Sequence, residues 1–230
     1  MSEAFYLGAY WGPRIESLDE CADRLTEYLA RLGRLHGAYA NWFKRGRSMA
    51  EASRNRVSID RETIIHTLEL GATRSQFTGE IVEDLGYRVG LWNNNDSVPV
   101  GFSALCGSNP RTVNFKNCVV LNLPEPESSG TALYSPDLVQ SVFRATVECW
   151  DPEWATFSSS SMRSRQEQGP TRPVVGWMTY LSGKGVESSS KQQSVECTSF
   201  FKGRIVTAGE DPLQMSEVQL AEVVNMLTIN

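Results

Sequence analysis

The apolar residues change period several times along this chain and never settle into regular strand–helix alternation. Residues 4–11 are rich in aromatics and stop at Gly12-Pro13, which predicts a first strand. Ser17 and Glu20 then stand at the spacing of a capping box, in which each side chain satisfies a backbone donor at a helix start. Leu18, Cys21, Ala22, Leu25, Tyr28, Leu29, Leu32 and Leu35 follow at helical steps. They form the stripe of an amphipathic helix of about five turns, which stops near Gly37. A short helix is expected over residues 39–43, closed by Gly46, then a helical turn from Ser48 to Glu51. A further helix is capped by Asp60 and ends at Gly71, with Ile64, Ile65 and Leu68 inward.

The middle of the chain reads with the period of a strand. Residues 87–92 predict one strand and residues 98–106 the next, joined through Asn93-Asn94-Asn95-Asp96. Asn and Asp tolerate left-handed backbone, so this segment reads as the turn of a hairpin. Residues 118–123 predict a third strand, and residues 124–130 a polar loop. Ser135-Pro136-Asp137 is a strong helix start, and Leu138, Val139, Val142, Phe143, Thr146, Val147 and Trp150 form its inward face. Beyond Asp151-Pro152 a short strand is expected at 154–157, a surface connection at 158–172 and a strand at 174–181. A polar loop follows at 182–194, then a hairpin over 195–208. A last helix is capped by Ser216 and Gln219, with Leu220, Val223, Val224 and Leu227 inward.

Strand, helices, three strands, helix, strands, helix is not the order of a parallel βαβ fold. It predicts an α+β fold, one domain over residues 1–230, with a largely antiparallel sheet and helices packed on it. With 40% hydrophobic and 10% aromatic residues, the 230-residue chain can bury a core. It has no apolar run long enough for a membrane-spanning helix and no basic start like that of a signal peptide. A cytoplasmic protein is expected.

Charge narrows the function. The net charge is −5, from 22 basic and 27 acidic residues, and no basic arm stands out. Direct nucleic-acid binding needs a basic face, so none is expected here. An acidic protein suits a basic partner. The five cysteines are Cys21, Cys106, Cys118, Cys149 and Cys197, an odd number without a C-x-x-C pair. They read as core thiols rather than as disulfides or a zinc site.

Residues for catalysis are sparse. His36 and His66 are the two histidines, and neither stands in a metal-binding spacing. No nucleophile elbow or phosphate-binding glycine loop occurs, so no cofactor or metal is expected. The densest acidic segment runs from Gly79 to Gly86 and holds Glu80, Glu83 and Asp84. Carboxylates of this kind act as metal ligands, as acid–base groups, as a partner-binding patch or as a plain solvated face. The six tryptophans are Trp11, Trp42, Trp92, Trp150, Trp154 and Trp177. Several stand at element ends beside Asn or Asp, where aromatics serve either as core anchors or as recognition hot spots.

Four segments in the right order resemble the immunity protein 52 family. They are residues 8–14 with Glu16-Ser17 and 21–25; residues 83–93; Trp150-Asp-Pro-Glu-Trp154; and residues 176–182. They spread over roughly residues 5–225, while the Ser-rich stretches at 158–161 and 188–190 carry no matching motif. The resemblance implies an inhibitor in bacterial competition, encoded beside a polymorphic toxin, including type VI secretion effectors. It implies binding in the cytoplasm to a toxin with a restriction-endonuclease-like nuclease fold.

The contact residues are read from the sequence itself. A nuclease must hold phosphates with basic groups, and an acidic, aromatic-studded surface complements it and speeds encounter. The expected toxin-binding residues are Glu80, Glu83 and Asp84, and the hairpin tip Asn93, Asn94, Asn95 and Asp96 with Trp92 as an anchor beside it. Glu125 and Glu127 are second choices. Two other readings stay open: a small hydrolase using an acidic or Cys site, and a protein-interaction adaptor.

Overall fold

The computed structural model describes residues 3–46, 48–109, 117–126, 131–166, 173–183, 191–192 and 194–228. In chain order the strands are β1 (Phe5–Trp11), β2 (Trp42–Lys44), β3 (Arg56–Val57), β4 (Tyr87–Trp92), β5 (Gly101–Cys106), β6 (Asn117–Asn122), β7 (Trp154–Ser159), β8 (Met178–Ser182), β9 (Lys191–Gln192), β10 (Val195–Phe200) and β11 (Gly203–Ala208). The α-helices are α1 (Leu18–Leu35), α2 (Met49–Ala52), α3 (Arg61–Leu70), α4 (Pro136–Trp150), α5 (Ser160–Ser164) and α6 (Glu217–Thr228). The fold is α+β, and every strand pair with a resolved register is antiparallel. The chain forms two compact units, residues 10–121 and residues 1–9 with 122–230.

In the unit of residues 10–121, the strands follow the order β3-β2-β4-β5-β6. Helix α1 begins as the capping box requires: Ser17 N donates to Glu20 Oε2 at 2.8 Å and Glu20 N to Ser17 Oγ at 3.2 Å. Its stripe of Cys21, Ala22, Leu25, Tyr28, Leu29 and Leu32 is buried. Tyr28 meets Phe102 of β5 at 6.0 Å between ring centroids, and Trp42 of β2 meets the same ring at 5.8 Å. This apolar contact holds the helix to the sheet. Arg61 of α3 also pairs with Asp19 and Asp23 of α1 on the outside.

Strand β4 alternates as a half-buried strand should, with Tyr87, Val89 and Leu91 inward and Arg88 and Gly90 outward. β5 pairs along one edge for the full length, from Tyr87↔Cys106 to Trp92↔Gly101. The other edge is shared. Residues 71–72 run beside its start, with a bridge Ala72↔Tyr87, and β2 pairs with its end through Phe43↔Trp92.

In the other unit the order is β1-β7-β8-β11-β10-β9. Its core is aromatic: Phe5 packs on Tyr134 at 5.2 Å and on Phe157 at 5.9 Å, and Phe157 packs on Trp177 at 6.2 Å. Helix α4 starts at Pro136 and buries Val139, Val142, Phe143, Ala145, Thr146, Val147, Cys149 and Trp150. It ends where Asp151 enters the left-handed region at φ 46°. Helix α6 closes its first turn with Gln219 N donating to Ser216 Oγ at 3.2 Å.

Several expectations are corrected. Residues 39–43 are not a helix: Gly37–Tyr39 is a 3-10 turn and Trp42–Lys44 is a strand, recruited by pairing with β3 and β4. The strand expected at 98–106 begins only at Gly101, because residues 98–100 are held in the preceding turn. Ser158 and Ser159 are not surface residues but the buried end of β7, where Ser158 Oγ donates to Val175 O and Ser159 Oγ caps α5. In α3 it is Thr67, not Ile65, that joins Ile64 and Leu68 inside. Leu138 is half-buried, and Val224 is exposed while Val223 of the same helix is buried.

Candidate functional site

Strand β4 separates the two groups of residues expected to act together. Glu80, Glu83 and Asp84 precede it, and Asn93–Asp96 follow it. Five steps of about 3.3 Å make β4 roughly 17 Å long, and the two groups lie off its opposite ends. They are two patches rather than one.

The acidic patch sits on a hairpin that leads into β4. Arg74 bridges to Ile81. Ser75 N donates to Glu80 O at 2.8 Å and Val82 N to Thr73 O at 2.8 Å. The tip turns through Gly79 at φ 74°, where a side chain would be strained. Ser75 Oγ accepts from Phe77 N and Thr78 N, both at 3.2 Å, and Thr78 Oγ1 accepts from Glu80 N at 3.3 Å. Glu83 and Asp84 follow in a 3-10 turn, Glu83–Leu85. All three carboxylates are exposed. Burial pushes the Tyr87 hydroxyl above its usual value, and the charge of Glu83 adds to that rise.

The other patch is mostly committed to its own backbone. Asn93 is buried, and its Nδ2 donates to Ala38 O at 3.1 Å and to Val98 O at 2.8 Å. Its Oδ1 accepts from Val100 N at 3.0 Å and Asn95 N at 3.3 Å. Asn94 adopts φ 52°, and its Oδ1 accepts from Ser53 Oγ at 2.9 Å. Asn95 Oδ1 accepts from Ser97 N and Val98 N. Asp96 is exposed, and Trp92 is half-buried. Trp11, Trp42, Trp150 and Trp177 are core residues, whereas Trp154 is half-buried. Glu125 is exposed and lies in the other unit, and Glu127 is outside the described residues.

Chemical machinery is thin. Among the described residues no group of three His, Cys, Asp or Glu side chains is placed to hold a metal. His36 caps the 3-10 turn, its Nδ1 accepting from Ala38 N at 3.1 Å, and His66 is exposed on α3. Cys106 is pushed well above the usual thiol value by its hydrogen bond to Cys21 and by burial. Burial raises Cys118 and Cys197 as well. Raised thiols carry little thiolate, the nucleophilic form. Cys118 is half-buried, and the other four cysteines are buried.

Two exposed apolar residues of the same unit as the acidic turn were not read from the sequence. Phe77, at the hairpin tip, is 99% exposed, and Ile15 is 82% exposed. The only trace in the sequence is that Phe77 is alone in a polar run, Thr73 to Gly79, and matches neither period. Ile15 lies between Arg14 and Glu16, and buried Glu16 faces Arg14 Nε at 3.2 Å and Arg24 Nη2 at 2.7 Å. Arg14 N donates to Ser108 O at 3.2 Å, and Asn109 N donates to Asp84 O at 2.9 Å. Those two bonds tie the Ile15 segment and the Glu83–Leu85 turn to the same short stretch, residues 107–109.

Among protein families, the model described as immunity protein 52 matches residues 3–198. No curated protein matches the chain. Among solved structures, the chain is similar to the Pseudomonas aeruginosa T6SS protein PA0821, with a TM-score of 0.54 and 13% sequence identity. The likeness covers 91% of this chain and 69% of that one, and it is a likeness of fold.

Proposed function

The chain belongs to the immunity protein 52 family, and from that membership we propose that it is a cytoplasmic immunity protein that binds and neutralises a cognate nuclease toxin. The family match over residues 3–198 carries the immunity reading. The nuclease reading is supported by charge. A nuclease holds phosphates with Lys and Arg, and this chain has a net charge of −5 and three exposed carboxylates, Glu80, Glu83 and Asp84, within five residues. Complementary charge accelerates encounter, which matters when few free toxin molecules are tolerable. Inhibition by binding asks for no catalytic step from this chain. Similarity in fold to a T6SS protein supports a toxin delivered by such a system. Among the described residues no helix is long and apolar enough to cross a membrane, which is compatible with meeting the toxin in the cytoplasm.

The test is co-expression with the toxin domain encoded beside this chain, with growth and size-exclusion of the pair as readouts. Rescue with a co-eluting complex is the expected result. Rescue without a complex overturns inhibition by binding, and absence of both overturns the immunity reading.

A further inference from the structure

The two most exposed large apolar residues among the described residues, Phe77 and Ile15, belong to the same unit, residues 10–121. Phe77, 99% exposed, sits at the tip of the hairpin that leads into the Glu83–Leu85 turn, and Ile15, 82% exposed, follows Arg14, whose N–H bonds Ser108 O next to the Asn109 N–H that bonds Asp84 O. Leu70, 63% exposed, ends the helix that feeds the same hairpin. One exposed apolar side chain is ordinary on a protein surface. An aromatic ring exposed almost completely at the tip of an ordered hairpin is not, because it leaves apolar surface in water that burial against a partner would remove.

The tip that carries Phe77 is also pre-shaped. Ser75 Oγ holds the backbone N–H groups of Phe77 and Thr78, Gly79 N donates to Ser75 O at 2.9 Å, and Arg74 Nη1 donates to Gly79 O at 3.2 Å. A projecting aromatic on a fixed turn loses little freedom when it is captured. It fits a concave apolar pocket, with the rest of the contact formed around it. Arg74, three residues before Phe77, is exposed and engaged with the tip carbonyl of Gly79, and the exposed Glu80, Glu83 and Asp84, three to seven residues after Phe77, outnumber it and define the rim. The complement of these carboxylates is a ring of Lys or Arg side chains.

We infer that Phe77, with Ile15 as a second contact, is the apolar anchor by which this chain seats on its toxin, entering an apolar pocket whose rim carries Lys or Arg. This rests on the reading of the chain as a toxin-binding immunity protein. Phe77 is the hot spot, and the acidic side chains form the solvated rim that guides approach.

The test is titration of the purified toxin domain encoded beside this chain against full-length wild type, Phe77→Ala and the double variant Phe77→Ala/Ile15→Ser, with Val218→Ala as a control. Val218 is 67% exposed on α6, in the other unit. Phe77→Ala is expected to weaken binding about 30-fold or more, the usual threshold of a hot spot. The double variant is expected to be weaker still, with Val218→Ala unchanged. The exposed position of Phe77 leaves the melting temperature where it was. Wild type that binds while the double variant stays within threefold overturns the anchor and leaves toxin binding intact. Wild type that forms no complex overturns both readings. Self-association of wild type that Phe77→Ala abolishes, with toxin affinity unchanged, overturns the anchor in favour of a second copy of this chain.

Discussion

Asn93 Oδ1 accepts the backbone N–H of Val100 at 3.0 Å, and Asn93 N donates to Val100 O at 3.1 Å, so two bonds between these residues close the connection between β4 and β5. The same side chain also bonds Ala38 O, Val98 O and Asn95 N. A buried amide with four backbone partners acts as a fixed part of the scaffold. Asn93→Ala is therefore expected to cost about 3 kcal/mol, because several buried backbone groups lose their partner at once. Asp96→Ala, at an exposed position of the same turn, is expected to stay within about 0.5 kcal/mol. Urea unfolding of the two variants checks the contrast, and equal destabilisation would contradict this account of the turn.

Charge reversal separates the two ends of β4. Glu80→Lys with Glu83→Lys and Asp84→Lys is expected to slow association with the toxin domain about tenfold or more at low salt, with a weaker effect at high salt. Asp96→Lys, beyond the far end of β4, is expected to change the rate less. Stopped-flow association at two ionic strengths decides. A triple variant that associates like wild type at both would discard the acidic hairpin as the steering surface.

Acid should weaken the fold through its helix starts. Glu20 is held below its ordinary 4.5 by hydrogen bonds from the Ser17 backbone and side chain. Asp60 is held below its ordinary 3.8 by Ser58 and by the backbone and side chain of Thr63. A carboxylate depressed in the folded state contributes stability above its unfolded value and loses it as pH falls through the folded value. Stability is thus expected to decline below about pH 4.5. The Glu20→Gln/Asp60→Asn variant keeps the acceptors but cannot titrate there. Its urea midpoint should depend less on pH over that range, and an unchanged slope would rule these two groups out as a source of acid sensitivity.

Gly71 marks the point where α3 gives way to the hairpin. A Cβ built there would lie 1.8 Å from Arg88 O. Gly71→Ala must push residues 71–72 away from the start of β4. The expected result is a loss of roughly 2 kcal/mol or more in stability and weaker toxin binding, although Gly71 itself is not among the proposed contacts. Hydrogen exchange should show faster exchange at Arg88, whose N–H donates to Gly71 O at 3.4 Å. Unchanged exchange there would contradict the close approach.

Elements with their own signals were legible in the sequence. The capping box and stripe of α1, the alternation of β4 and the Ser-Pro-Asp start of α4 are local patterns, and each formed where the pattern placed it. Trp42–Lys44 was not legible because three residues show no period, and what makes them a strand is Trp92, Leu91 and Val57, far away in the chain. Ser158 and Ser159 misled because Ser reads as surface, whereas their burial depends on partners at Val175 and Met162. At the candidate site, the exposed carboxylates at 80, 83 and 84 could be read from composition. The commitment of Asn93 and the isolation of Phe77 could not, since both depend on which groups the fold brings near.

The hairpin of residues 73–82 is fastened at its neck by backbone atoms, Ser75 to Glu80 and Val82 to Thr73. Every residue type except proline supplies those N–H groups, and all supply the carbonyls. The positions between whose side chains take no part in holding the hairpin are therefore open to exchange: Gln76 and Phe77 can be rewritten while the neck stays closed, whereas Thr78 Oγ1 accepts from Glu80 N. A lineage can retarget such a tip by single substitutions, each passing through a folded protein, and keep step with a toxin that changes its pocket. An engineer can graft a different tip onto the same neck for the same reason.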